Sequence, residues 1–325
     1  MLEFIDGFAI GGCLPDEAGT SFPQLNKTAS VSRPASVDLR AHCSPVEDQR
    51  RVGSCVGNAV AGALEYHQIK NGRSLRDLSR LFIYYNARRL EGKEMEDTGC
   101  SRRKALASVL AYGVCPETMW PYQEAMVTVA PTRDCYSAAQ RFLGVEFAEL
   151  THGNAVKDVL ASGLPVVFGM GVPASLSRMN YENWIMRAPD DGQWEPSRGG
   201  HAMLIVGYDD TENMYLIRNS WGTGWGRDGY MLMHHDVLMH YTQPPVYLGE
   251  RPFVIGAIAE SRAYEVSGLD KQAFMSTATT GASPQVQDEI SALRQSLAED
   301  LESSLNKTRQ SIRDRLRGPG AGGGY

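Results

Sequence analysis

Four glycines and two tryptophans fall within the run Asn219-Ser220-Trp221-Gly222-Thr223-Gly224-Trp225-Gly226-Arg227-Asp228-Gly229-Tyr230. Glycine at that density disfavours both helix and strand, while indoles are large apolar bodies that need cover. The run therefore reads as a tight loop closed over a core. Short apolar runs at 202–208 and 214–218 lead into it, 230–233 follows it, and 165–169 lies upstream. Each has the length and composition of a strand.

The part before these strands has a different period. Val56, Ala59, Val60, Ala63 and Leu64 lie on one face of a helix that starts at Ser54 or Cys55 and ends near Asn71-Gly72. Further helices are predicted at 78–90, at 102–112 before Gly113, and at 154–162 before Gly163. Helices first and an antiparallel sheet second give an α+β order. That order suits a helical lobe and a β lobe with the site in the cleft between them. The predicted organisation is an irregular leader over 1–35 lying along the cleft, a main domain over 36–250, a linker over 251–284, an amphipathic helix over 285–317 and a disordered tail over 318–325. In the helix, Ile290, Leu293, Leu297, Leu301, Leu305, Thr308, Ile312 and Leu316 recur at steps of three and four, which suits self-association or a partner.

Composition removes several function classes. A net charge of -6 with no long basic run gives no support to nucleic-acid binding. No apolar stretch approaches the ~20 residues of a membrane helix. Glu3 and Asp6 stand where a secretory signal needs basic residues, so cytoplasmic residence or export by a non-Sec route is expected. The six cysteines, Cys13, Cys43, Cys55, Cys100, Cys115 and Cys135, include no C-x-x-C pair. Neither a zinc site nor a disulfide scaffold is indicated, and no metal or organic cofactor is expected. His234-His235 and His240 read as solvated strand-end residues rather than ligands.

A thiol nucleophile needs a site that favours its thiolate, and a helix N-terminus supplies partial positive charge and free N–H groups. Cys55 stands at such a position, after a Gly53-Ser54 turn that frees its own N–H for an oxyanion, and Gln49 six residues upstream adds a side-chain amide. The base must come from elsewhere. His201 follows Gly199-Gly200, which allow a substrate chain to approach, and opens an apolar strand. Asn219 ends the next strand, so antiparallel pairing can bring its amide to one imidazole nitrogen and aim the other at the thiol.

Three blocks together, Gln49-Arg50-Arg51-Val52-Gly53-Ser54-Cys55, Gly200-His201-Ala202 and the run from Asn219 to Tyr230, resemble the signature of the papain-like cysteine peptidases. The similarity covers about residues 36–235 and includes Trp120-Pro121-Tyr122. It implies a papain-like two-lobed fold and an endopeptidase that works on peptide or protein substrates through a thiol acyl-enzyme. Cys55, His201, Asn219 and Gln49 are then catalytic, with Gly199, Gly200 and Trp221 at the substrate, and Trp221 also shielding the Asn219–His201 hydrogen bond. A resting thiolate–imidazolium pair is implied as well. An acyl transferase or ligase with the same triad, or a non-catalytic peptide-binding homologue, are the alternatives. The chain departs from the family pattern at Val56, where tryptophan is usual, at Val52, where cysteine is usual, and at Arg102-Arg103, where a Gly-Gly pair lines the groove. The usual long inhibitory prodomain and a histidine-bearing occluding loop are not recognised. Arg102-Arg103 read as the solvated first turn of a helix, with selection of acidic substrates as the sharper reading.

Overall fold

The computed structural model describes residues 2–16, 24–27, 32–72, 74, 76–139, 147–150, 153–242, 254–257, 264–267, 282–292 and 295. The strands are β1 (Glu3–Ile5), β2 (Phe8–Ile10), β3 (Cys13–Leu14), β4 (Gln24–Lys27), β5 (Ser36–Asp38), β6 (Cys100–Ser101), β7 (Phe147–Leu150), β8 (Val166–Gly171), β9 (Ile185–Met186), β10 (Gly200–Asp209), β11 (Met214–Arg218), β12 (Tyr230–His234), β13 (Val254–Ala257) and β14 (Tyr264–Ser267). The α-helices are α1 (Cys55–Lys70), α2 (Arg80–Arg89), α3 (Arg102–Tyr112), α4 (Arg133–Ala139), α5 (Gly153–Ala161) and α6 (His235–Thr242).

Helices α2 and α3 start where a serine side chain can take one of the first free N–H groups. Ser79 Oγ accepts from Phe82 N at 3.2 Å at the head of α2, and Ser101 Oγ accepts from Lys104 N at 3.2 Å at the head of α3. Gly113, at φ 71°, ends α3 with its N–H on the Val109 carbonyl. Helices α1, α2 and α3 pack on one another, and their Val56, Val60, Phe82, Ile83, Leu106 and Val109 are buried.

The main sheet runs β14-β4-β7-β13-β8-β10-β11-β12-β9, with β5 added on β10. Its centre is antiparallel. β10 pairs β8 from Gly200 to Ile205 and β11 from Leu204 to Asp209. Every residue of β8 and β11 is buried, as is β10 from Gly200 to Tyr208, which explains why these strands read as unbroken apolar runs. The helix α1 lies against β10, where Gly62 leaves room for the Arg218 guanidinium. That guanidinium donates to the Ser44 and Pro45 carbonyls and to Ser44 Oγ.

Three sequence expectations are corrected. The leader is not irregular: β1 and β2 form an antiparallel hairpin, and β3 pairs β6 in parallel with Cys13 opposite Cys100. The hairpin turns at Asp6-Gly7, both at positive φ, a local signal that the sequence reading missed, whereas β3 depends on a partner far along the chain, which local patterns do not reveal. The span expected as a linker includes β13, which pairs β8 and β7, and β14, which pairs β4. Val254 and Ile255 are β-branched, and a four-residue run of this kind is too short to stand out without its neighbours. His235 opens α6 rather than trailing a strand.

Residues Met1–Ala282 form one compact unit and Ser283–Tyr325 a second. In the second, residues 284–292 are helical, and Val286 and Ile290, four apart, are buried. Most of the predicted amphipathic helix, and all of the predicted tail, lie outside the described residues. Among the described residues no helix is long and apolar enough to cross a membrane, and no group of three or more His, Cys, Asp or Glu side chains is placed to hold a metal.

Candidate active site

Cys55 is the first residue of α1. The turn that delivers it is fixed from several sides. Gly53 N donates to the Asp97 carboxylate at 3.1 and 3.3 Å, and Asp97 also accepts the Tyr84 hydroxyl of α2. Ser54 Oγ lies 2.6 Å from the Tyr122 hydroxyl, which donates to the Gln49 carbonyl at 2.8 Å. The Cys55 sulfur faces the backbone N–H groups of Ala202, Val56 and Cys55 itself. The helix start thus sets the sulfur beside the strand residue that follows His201.

His201 is the second residue of β10, and Asn219 directly follows β11. The β10–β11 ladder ends at Leu204 opposite Arg218, and Asn219 reaches on toward the imidazole. His201 Nε2 lies 2.7 Å from Asn219 Oδ1. The same Oδ1 accepts from Ser220 N at 2.8 Å, which identifies it as the acceptor end of the amide. Nε2 therefore carries the proton and Nδ1 a lone pair. Nδ1 is buried and has no hydrogen-bond partner among the described residues. Trp221 stacks on the imidazole with ring centroids 4.6 Å apart, and Trp225 meets Trp221 edge-on at 5.4 Å. The loop predicted from its glycines and indoles is the cover of this hydrogen bond.

Gln49 is fully buried. Its Oε1 accepts from Ser220 Oγ at 2.7 Å, and its Nε2 donates to the Val52 carbonyl at 3.0 Å and to the Ala9 carbonyl at 3.5 Å. The Ala9 contact brings the leader into the site. Gly11 N donates to the Gly200 carbonyl at 2.9 Å, Cys100 N donates to the Gly12 carbonyl at 3.0 Å, and Phe8 stacks on the free face of Trp221 at 4.5 Å. A Cβ on Gly12 would lie 2.5 Å from the Gly53 carbonyl oxygen and 3.0 Å from the Cys55 sulfur. A Cβ on Gly199 would lie 2.4 Å from Gly11 N. The leader thus threads between the two walls with bare backbone, and Gly199, Gly200 and Trp221, expected at the substrate, touch residues 8–11 here.

Burial sets the protonation state. Cys55 and His201 are both 0% exposed. Burial, followed by the nearby Cys13 thiol, pushes the Cys55 thiol well above its ordinary value, against the pull of the N–H groups around it. Burial holds His201 down to about 4, against the pull of Asn219. The covered site is a neutral thiol beside a neutral imidazole, not the thiolate–imidazolium pair implied by resemblance. The physical reason is the lack of water around both groups: the leader's Gly12 lies against the Cys55 sulfur, and Trp221 stacks on the His201 imidazole. All six cysteines are free thiols.

A pH dependence follows. His201 titrates near 4 in the folded chain and near 6.5 when unfolded. Above pH 6.5 both states are neutral at this residue. Between 6.5 and 4 only the unfolded state binds the proton, so stability falls as pH falls, by roughly 3 kcal/mol over the window. Glu65, held up to about 7 chiefly by burial, acts in the opposite sense. The readout is therefore a difference. The urea-unfolding free energy of the wild type minus that of His201→Gln should shrink progressively from pH 7 to pH 4.5. A pH-independent difference would contradict a buried neutral imidazole.

Every candidate residue named from sequence falls in this one region. Sequence reasoning missed Ser220, which holds both Gln49 and the orientation of Asn219, although its place in the Asn219–Tyr230 run was a usable signal. It also missed Phe8, Ala9 and Gly12, which carry no local signal. Arg102 and Arg103, read as solvated, are 2% and 1% exposed. The Asp16 carboxylate of the leader accepts from the Arg102 guanidinium and from the Arg103 backbone N–H.

Comparison with known proteins agrees with this architecture. Residues 33–243 match the description "Papain family cysteine protease". An uncharacterized peptidase C1-like protein of Acanthamoeba polyphaga mimivirus is 36% identical over 197 residues, 57% of this chain and 63% of that protein. Cathepsin K of Gallus gallus is 30% identical over 214 residues, 63% of this chain and 60% of that protein. The chain thus spans less than two thirds of the length of these two curated relatives. The crystal structure of xylellain, a cysteine protease from Xylella fastidiosa, superposes with a TM-score of 0.66 at 31% identity, covering 80% of this chain and all of that one. Digestive procathepsin L 3 of Tenebrio molitor shares the fold at a TM-score of 0.56 and 22% identity. With its helical lobe, its antiparallel sheet and its match over 33–243, the chain belongs to the papain family of cysteine proteases.

Proposed function

We propose that the chain is a cysteine endopeptidase that hydrolyses peptide bonds through a thioester acyl-enzyme. Cys55 Sγ attacks the scissile carbonyl carbon and passes its proton to His201 Nδ1. The carbonyl electrons move onto oxygen, and the Cys55 N–H with Gln49 Nε2 holds that oxyanion. The C–N bond then breaks, His201 gives the proton to the departing amine, and water, activated by the same imidazole, hydrolyses the thioester. Asn219 keeps Nε2 protonated so that Nδ1 stays the base. The observation that carries this reading is the short Nε2–Oδ1 contact, which leaves Nδ1 bare on the strand whose next N–H faces the Cys55 sulfur.

Residues 8–16 act in this reading as a cover that limits access to the cleft. Its support is the path of Gly11 and Gly12 between Gly199–Gly200 and Gly53–Cys55. An extended substrate takes the same path along Gly199, Gly200 and Trp221 once the cover lifts.

The test is incubation of the full chain with a mixed peptide library, with and without an added amine, and product masses read in both arms. New free carboxyl termini, lost after thiol alkylation, support hydrolysis. Products dominated by amides of the added amine give acyl transfer instead. No products in either arm, or cleavage that survives alkylation, overturns the reading.

A further inference from the structure

Among the described residues of the leader, Asp16 meets the start of α3 through its charge. Asp16 Oδ2 lies 2.8 Å from Arg102 Nη2, and Asp16 Oδ1 accepts from Arg103 N at 2.9 Å. Both side chains of the ion pair are 2% exposed. Arg102 and Arg103 are the first two residues of α3, and Lys104 is the third; no acidic residue stands in that turn. A helix N-terminus carries partial positive charge, so burying three cations there is unfavourable unless an anion is close. Asp16 supplies one such anion, to Arg102 and the helix end, from a segment foreign to the helix.

The place is part of the groove. Asp16 stands four positions along from Gly12, which lies over the Cys55 sulfur. Between them Cys13 and Leu14 pair with Cys100 and Ser101, directly before Arg102. The Arg102 side chain crosses to the opposite wall, where a Cβ on Gly169 of β8 would lie 3.6 Å from Arg102 Nε and 2.8 Å from Cys13 Sγ. Gly169 is the direct partner of Ala202, next to His201. The guanidinium that holds Asp16 thus spans the cleft one strand away from the imidazole.

We propose that Arg102 and the Arg103 N–H form an acid-selective substrate subsite, which Asp16 fills while the leader is in place. With the leader displaced, the buried guanidinium and the helix end retain the geometry of a carboxylate receptor. They take the Asp or Glu side chain of a peptide lying on the leader's path. This deepens the peptidase reading and rests on it. Release of the cover and choice of substrate then share one contact, because an acidic peptide competes with Asp16 for the same guanidinium.

The test uses the full chain carrying Asp16→Asn, which withdraws the leader's own charge and leaves the receptor intact. A set of peptides carries a single Asp scanned through the four positions on each side of the scissile bond, each paired with its Asn twin. At one position kcat/KM for Asp should exceed that for Asn by about 10- to 100-fold. The ratio should approach one in Arg102→Gln and return in part in Arg102→Lys. A second arm measures anisotropy of the same labelled peptide pairs on Cys55→Ala, Asp16→Asn chain, where tighter binding of the Asp peptide is expected without turnover. Equal values for Asp and Asn at every position in both arms overturn the subsite. If no peptide is cleaved but the Asp twin still binds more tightly, the hydrolytic reading fails and the subsite stands.

Discussion

Peptide hydrolysis should fall by about 10,000-fold or more when Cys55 is replaced by alanine, because removal of a nucleophile leaves only binding and oxyanion contributions to the rate. The fold should survive the change. Cys55 is fully buried and its thiol is neutral, so the substitution removes one sulfur atom and no charge. The check is kcat/KM on the best library peptide together with a thermal melt. A drop in rate accompanied by a lost melting transition would report unfolding instead. An intact transition with unchanged rate would place the nucleophile elsewhere, and the other five thiols would have to be tested in turn.

The second large effect is an increase. Gly12→Ala should raise the rate at which iodoacetamide modifies Cys55 in the full chain by about 5- to 150-fold. The added Cβ meets the Gly53 carbonyl oxygen at 2.5 Å, a distance that real Cβ atoms do not show, and the atom it meets is backbone. The Gly53 turn is tied to Asp97 and cannot give way cheaply. The leader must lift, at the ~1–3 kcal/mol typical of an overpacked contact. If alkylation proceeds from the lifted state, its rate follows that population. Gly199→Ala presses on Gly11 from the other wall and should act in the same direction. The measurement is the time course of modification at residue 55, read by peptide mass. Equal rates for Gly12→Ala and wild type would show that residues 8–12 do not limit access.

The arrangement of the candidate site was largely legible because each piece has a local signature. The start of α1 at Cys55 followed from the periodicity of Val56, Ala59 and Val60, and the span 102–112 from its Gly113 stop; both agree with the structure. The approach of Asn219 to His201 followed from two apolar strands joined by a short turn, since antiparallel pairing fixes which ends meet. What could not be read depends on groups distant in sequence. Nothing local to Asp16 says that it will neutralise Arg102, so two arginines at a helix start were assigned to solvent. Nothing in Phe8 or Gly12 indicates the Trp221 face or the Gly53 turn. The protonation state of the site was not legible for the same reason: it is set by the burial of Cys55 and His201, which is a tertiary property.

Ile5, Ala9 and Ile10 are 5%, 1% and 0% exposed, values equal to those of the interior of the helical lobe. The strap over the site is therefore not an ornament laid on a finished protein but a share of its hydrophobic filling. A molecule that releases it bares an oily trench and gives up part of its own durability. Bound peptide refills the trench and restores some of what was lost. If the strap lifts for catalysis, as proposed, the open form is the less stable one, and bound peptide offsets part of that loss.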